Sequence, residues 1–180
     1  MLSDDVLDYL SRLPESAHVL LPFENTAARD QALLRYIREA ISQNKMVIHL
    51  CENPERDKEQ VLGSDMKSGR PNQLRITAVR DIYTTPLSVQ RAVGFWRSET
   101  ENALKQGFSG LAESADGTSV LSEDLMKFEE AVGRSLSIKS MTALCLYDAR
   151  RFVGRNESLL IRLLSLHGHV IFPGIAGRMY

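Results

Sequence analysis

Met141-Thr142-Ala143-Leu144-Cys145-Leu146-Tyr147 is an apolar run broken by one hydroxyl and followed at once by Asp148. It lacks the polar alternation of a half-exposed strand, so it predicts a central strand buried on both faces of a parallel sheet. Working outward, His18–Phe23 is a second compact apolar run, and it ends in the polar Glu24-Asn25-Thr26. Met46–Cys51, Leu74–Val79, Phe108–Glu113 and His169–Phe172 supply four more short apolar stretches, which predict four further strands.

Between these runs the period changes from strand-like to helical. Ala32/Leu33, Tyr36/Ile37 and Ala40/Ile41 recur every four residues over 27–43, with Asn25 or Thr26 as the cap. Ser3 caps a short helix within residues 2–13, which Pro14 ends, and Pro54 opens a charged surface helix. Thr85-Pro86 supplies a cap and a first-turn proline for a long helix whose stripe runs from Val89 through Trp96 to Leu104, with Gly107 as its stop. Ser122 caps a helix over 121–136, and Asn156 starts the last one. Strands alternating with helices require right-handed crossovers, hence a three-layer α/β fold with a mostly parallel sheet flanked by helices. Residues 1–15 are expected as an N-terminal helix, 16–172 as one domain and 173–180 as a mobile tail of little regular propensity.

The composition agrees with this reading. In 180 residues, 22 Lys+Arg stand against 23 Asp+Glu, 43% of residues are hydrophobic and 25% are charged, which is one ordinary domain with a core of its own. The even charge gives no excess cation to attract nucleic acid or an anionic membrane. Cys51 and Cys145 lie in apolar runs rather than a Cys-x-x-Cys spacing, so they read as buried thiols. No apolar run is long enough to span a bilayer, and Asp4, Asp5 and Asp8 stand where a signal peptide carries cations, so a cytoplasmic protein is expected.

In an open parallel sheet, ligands sit outside the carboxyl ends of the strands, which nominates Phe23-Glu24-Asn25, Cys51-Glu52-Asn53, Ser114-Ala115-Asp116 and Tyr147-Asp148. The first of these loops has no glycine and no Gly-Lys-Ser/Thr, and Glu24 would repel phosphate, which excludes a normal phosphate-binding loop. His49 with Cys51 is spaced like a pair of metal ligands but has no further ligands at metal-site spacing. His167 with His169 could also bind a metal, although a histidine favoured by the dipole at a helix C-terminus and followed by a strand residue needs none. Cys145, inside an apolar strand, reads as an inert thiol, and Glu113 with Asp116 is a candidate acid–base pair. Gly110 marks a place where a neighbouring backbone comes close. Arg150, Arg151 and Arg155 form a local cluster of positive charge.

Four stretches carry a family resemblance: His18–Asn25, Ala103–Leu111 with its Gly-Phe-x-Gly-Leu, Phe128-Glu129, and Ala143–Asp148 followed by Phe152. Over residues 16–172 the chain resembles the MEDS family, the methanogen/methylotroph DcmR sensory domain. The resemblance implies a RecA/KaiC-like core without its phosphate-binding loop, serving as a sensor of small molecules, proposed for the family to be hydrocarbon derivatives. It also implies a place beside transcription regulators or histidine kinases.

Together these readings predict a non-enzymatic domain that uses no cofactor and binds a small organic ligand at the carboxyl edge. Phe23 and Tyr147 would form the wall, Asn25 and the Tyr147 hydroxyl would orient the ligand, and Glu24, Asp116 and Asp148 would accept hydrogen bonds. Arg150, Arg151 and Arg155 would face a protein partner such as a histidine kinase or transcription regulator, and a homodimer is the default assembly. Two other readings stay open. One is a degenerate nucleotide-binding protein with Asp116 near the position of a Mg²⁺-holding acid, and the other is a ligand-free scaffold.

Overall fold

The computed structural model describes residues 2–63, 70, 72–83, 87–117, 123–135, 140–151, 157–172 and 175–178. Helix α1 (Asp4–Ser11) leads into β1 (His18–Phe23), α2 (Thr26–Ser42), β2 (Met46–Cys51), α3 (Pro54–Leu62) and β3 (Leu74–Ala78). Then follow α4 (Val79–Ile82), α5 (Val89–Lys105), β4 (Leu111–Asp116), α6 (Glu123–Ser135), β5 (Met141–Asp148), α7 (Glu157–Leu166), β6 (His169–Phe172) and β7 (Ile175–Arg178). The strands form one sheet in the order β3-β2-β4-β5-β1-β6-β7, parallel through β6 and antiparallel only where β7 meets β6.

Strand periodicity divides the core in two. Val19, Leu21, Phe23, Val47, Ala112, Leu144 and Leu146 face α1 and α2, where Leu10, Leu33 and Ile37 cover them. Leu20, Ile48, Leu50, Leu111, Cys145 and Tyr147 face the other way, against Trp96 of α5, Leu125 and Met126 of α6 and Leu163 of α7. All six residues of β1 are buried because helices cover both faces.

Three expectations change. Strand β4 begins at Leu111 rather than Phe108, because Gly107 (φ +82°) closes α5 in a Schellman turn: Phe108 N–H donates to Ala103 C=O at 3.1 Å and Gly107 N–H to Leu104 C=O at 3.0 Å. The polar Ser114–Asp116, expected in a loop, completes the strand, since its hydrogen bonds are met inside the protein. Helix α5 starts at Val89 with Ser88 as its cap, accepting from Arg91 N–H, while Thr85-Pro86 lies outside the described residues, as do Ser122 and Phe152. Finally, residues 175–178 of the expected tail are strand β7, because the open edge of β6 supplies ladder partners that override weak local propensity.

Gly110 is held against the next strand's entry. A Cβ there would run into the Ser140 carbonyl oxygen, a backbone atom that cannot swing aside and that already accepts from Leu111 N–H at 2.8 Å. Gly110→Ala is expected to lose about 1–3 kcal/mol in urea denaturation. Gly94→Ala, on α5 with open space around it, is expected to be neutral or to gain up to about 1 kcal/mol. Equal effects of the two would show that the close approach is not limiting.

Candidate functional site

At the carboxyl edge, the Asn25 side chain accepts from Ala28 N–H at 2.9 Å and so sets the start of α2. That cap turns Arg29 inward, where it is 4% exposed. Its guanidinium grips Asp57 of α3 through two bonds, at 2.6 and 3.2 Å, pairs with Asp30 at 2.9 Å and lies 3.5 Å from Asp116 at the end of β4. Asp57 is also 2.9 Å from His49 Nε2, and His49 Nδ1 is 2.9 Å from the Ser114 hydroxyl. Burial works to raise the Asp57 pKa, but the bonds to His49 and Arg29 outweigh it and hold the carboxyl well below its ordinary range. Burial, followed by the charge of Asp57, pushes the Cys51 thiol up to about 12.

Serine, histidine and aspartate in contact suggest a hydrolase relay, but the burial argues against one. Ser114 and His49 are both 0% exposed, and Asp57 is already neutralised by Arg29. The same arginine argues against a metal on His49 and Cys51, since a cation already sits on their nearest carboxylate. Arg29 also fills the space between the first strand–helix loop and Asp116, where a RecA-like protein would receive phosphates.

The other face of the sheet holds a different site. Between β4–β5 and α5–α6 lies a chamber of about 10 Å³, room for one water-sized molecule, lined by Tyr83, Trp96, Glu113, Leu125, Phe128, Glu129 and Tyr147 among others. Trp96 Nε1–H donates to the Tyr83 hydroxyl at 2.9 Å, and the Tyr147 hydroxyl donates to Glu129 Oε1 at 2.5 Å. Glu113 is 4% exposed and has no hydrogen-bond partner among the described residues. Burial, reinforced by the charge of Glu129, pushes its carboxyl well above the ordinary range. Burial also works to raise Glu129, yet the bond from His18, the two imidazoles close by and the bond from the Tyr147 hydroxyl together bring it down to about 2. One chamber thus holds two acids whose surroundings shift them in opposite directions.

The nominated residues separate along these lines. Asp116 joins the Arg29 network, Phe23 is buried on the α2 face, Glu24 is exposed and Asn25 serves as a helix cap. Tyr147 lies across the sheet in the chamber, and Asp148 pairs with Arg150 at 2.6 Å on a 3-10 turn spanning Ala149–Arg151. The six therefore do not converge on one pocket. Arg151 is exposed, and Arg155 lies outside the described residues. Glu113 and Asp116 sit on opposite faces of β4, as an odd separation on a strand dictates, so they cannot act as an acid–base pair. His169 bonds the Tyr9 hydroxyl at 2.6 Å, apart from His167. Glu129 entered the sequence reading only through the family resemblance and not as a site residue, although its place beside Leu125, Phe128 and Val132 on the helix over 121–136 was a usable signal: an acid on a buried helix face requires a partner.

The strand order, the covered faces and the arginine-filled edge define a RecA-like α/β domain without a phosphate loop. The family model for the methanogen/methylotroph, DcmR sensory domain matches residues 17–168, and the chain belongs to this MEDS family, a family of sensory domains. Among curated proteins, Endolysin B of Mycobacterium phage L5 is 26% identical over 153 residues, which cover 82% of this chain and 56% of that protein. The chain thus spans a little over half the length of that relative. Of solved structures, a Pyrococcus horikoshii OT3 protein superposes with a TM-score of 0.61 at 8% identity, over 93% of this chain and 87% of its own. The flagellar accessory protein FlaH of Methanocaldococcus jannaschii gives 0.52 at 14% identity, over 96% and 78%. No described helix is long and apolar enough to cross a membrane.

Proposed function

We propose that this chain is a sensory domain without catalytic activity, which binds a small organic molecule in the chamber on the α5–α6 face. The observation that carries the reading is Glu113, a carboxyl group turned into a largely apolar chamber with no partner among the described residues. An unpaired buried carboxyl costs stability, and a ligand bearing a hydroxyl, carbonyl or amine would offset that cost while its carbon skeleton packs on Trp96, Leu125 and Phe128. Membership of a sensory family supports this reading.

The chamber has room for about one water, so a larger occupant would need a lining helix such as α6 to move outward. Ligand and shape are thereby coupled, as sensing demands. A cytoplasmic protein partner, such as a histidine kinase or a transcription regulator, would read the displaced helix, with the exposed Arg151 as a contact.

A thermal-shift screen with short alcohols, ketones, amides and amines, alongside Mg²⁺–ATP, tests the proposal. A binding compound at a hundred times its Kd should add about 2.7 kcal/mol of stability. Glu113→Leu should abolish that response while itself gaining about 1–3 kcal/mol, and Arg151→Ala should leave the response intact. A shift from Mg²⁺–ATP alone, or an organic response unchanged in Glu113→Leu, would sink the reading.

A further inference from the structure

Four buried donors from four separate places in the chain meet beside the chamber. His18 opens β1, Cys145 lies at the middle of β5 on the same face, Glu129 comes from α6, and His167 follows the end of α7. One ligand atom from each lies within 4.8 Å of every other. His18 Nε2 is 3.1 Å from Glu129 Oε2 and 3.3 Å from Cys145 Sγ, and Glu129 Oε2 is 3.6 Å from His167 Nε2 and 3.8 Å from Cys145 Sγ. A regular tetrahedron with edges of 3.1–3.8 Å would have its centre about 1.9–2.3 Å from each corner, which spans the usual zinc–nitrogen, zinc–oxygen and zinc–sulfur distances. The two remaining pairs, His18–His167 and Cys145–His167, lie within 4.8 Å.

The hydrogen bonding around the cluster also favours a cation. His167 Nδ1 bonds the Leu163 carbonyl oxygen at 2.7 Å, and because that oxygen only accepts, the ring's proton is fixed on Nδ1. His167 Nε2, buried and without a hydrogen-bond partner, then turns its lone pair toward a carboxylate oxygen. Two acceptors facing each other in a dry interior repel unless a cation lies between them. A backbone carbonyl on Nδ1 is also the support that metal-bound imidazoles commonly have. Glu129 divides its work, with Oε1 taken by Tyr147 and Oε2 left toward the other three donors.

We propose that His18 Nε2, Glu129 Oε2, Cys145 Sγ and His167 Nε2 form a tetrahedral Zn²⁺ site. Thiolate and carboxylate together cancel the ion's two charges, and the imidazoles stay neutral, so the loaded site is a neutral unit suited to burial. Binding displaces the thiol proton and any proton on His18 Nε2 to solvent. With four protein donors the site is closed, which makes it a bolt joining β1, β5, α6 and the end of α7 rather than a catalytic centre. Because α6 carries both this bolt and the chamber wall, metal loading would set how far that helix can move.

The test is to strip the purified protein with a chelator and titrate it with Co²⁺ and then Zn²⁺. The expected result is uptake of one equivalent, with a thiolate-to-cobalt charge-transfer band and the intense visible bands of tetrahedral Co²⁺, both lost when Zn²⁺ replaces it. Cys145→Ser should remove the charge-transfer band, and His167→Gln should weaken binding by more than about tenfold. Cys51→Ser should change neither. The chain has two cysteines, so a band that survives in Cys51→Ser assigns the sulfur to Cys145 even if Cys145→Ser fails to fold. No uptake by the stripped wild type, a Co²⁺ spectrum without the sulfur band, or a band lost in Cys51→Ser would overturn the proposal.

Discussion

Arg29→Met is expected to cost about 3–5 kcal/mol of unfolding free energy, the largest loss expected from any single exchange named here. The guanidinium is shared among Asp57, Asp30 and Asp116, and methionine would fill its volume while leaving these carboxylates without their common cation. Removing one partner of a buried pair is costly because the other stays desolvated, so Arg29→Met combined with Asp57→Asn should recover a substantial part of the loss. The exposed pair Arg12–Asp8, at 3.7 Å, provides the contrast: Arg12→Ala should change stability by less than about 1 kcal/mol. A loss below about 1 kcal/mol for Arg29→Met in urea denaturation would show that the network is not a structural clamp. The pH dependence has a definite sign. Since Asp57 has a lowered folded pKa, its contribution is complete above the ordinary carboxylate range and disappears as pH falls through and below it.

Glu113→Gln is expected to produce a pH effect of the opposite sense. The folded state holds the Glu113 proton well above the range in which the unfolded chain releases it. The stability tied to that proton is therefore full below the unfolded pKa and is lost as pH rises toward the folded one. Glutamine has no such proton, so the variant should gain on the wild type by about 1.4 kcal/mol per pH unit from just above pH 4 upward until Glu113 ionises in the fold. Paired urea denaturations from pH 4 to 8 would measure it. Taking the difference between the two proteins removes the contributions of Asp57 and every other common group. A difference that stays flat across that range would mean that Glu113 is ionised in the native protein.

Sequence patterning located most of the scaffold for a definite physical reason. Strands β1, β2 and β5 are buried on both faces, so their sequences are almost wholly apolar, and Asn25, Pro54 and Gly107 act at helix ends as their chemistry requires. The reading ended β4 at Glu113 because Ser114-Ala115-Asp116 look like loop residues. The burial of Ser114 depends on His49 across the sheet, a partner that is not visible along the chain. Site residues were nominated by the carboxyl-edge rule, which identifies an end of the sheet but not a face. It gathered Asp116 and Tyr147 although the sheet separates them. The His18–Cys145 contact depends on a register in which His18 stands opposite Ala143, a pairing of distant residues that local periodicity does not carry.

The position of β1 has a consequence for how the chain reaches this state. It is made early, its six residues are all buried, and its two neighbours in the sheet are β5 and β6, from the last quarter of the sequence. During synthesis this hydrophobic segment has no ladder to join until β5 has emerged. Pairing of such remote segments is slow, because loop closure must precede the contacts that compensate for it. The newly made N-terminal half therefore presents a sticky, unpaired strand to the cell, and its yield depends on whatever shields that strand until the C-terminal third arrives.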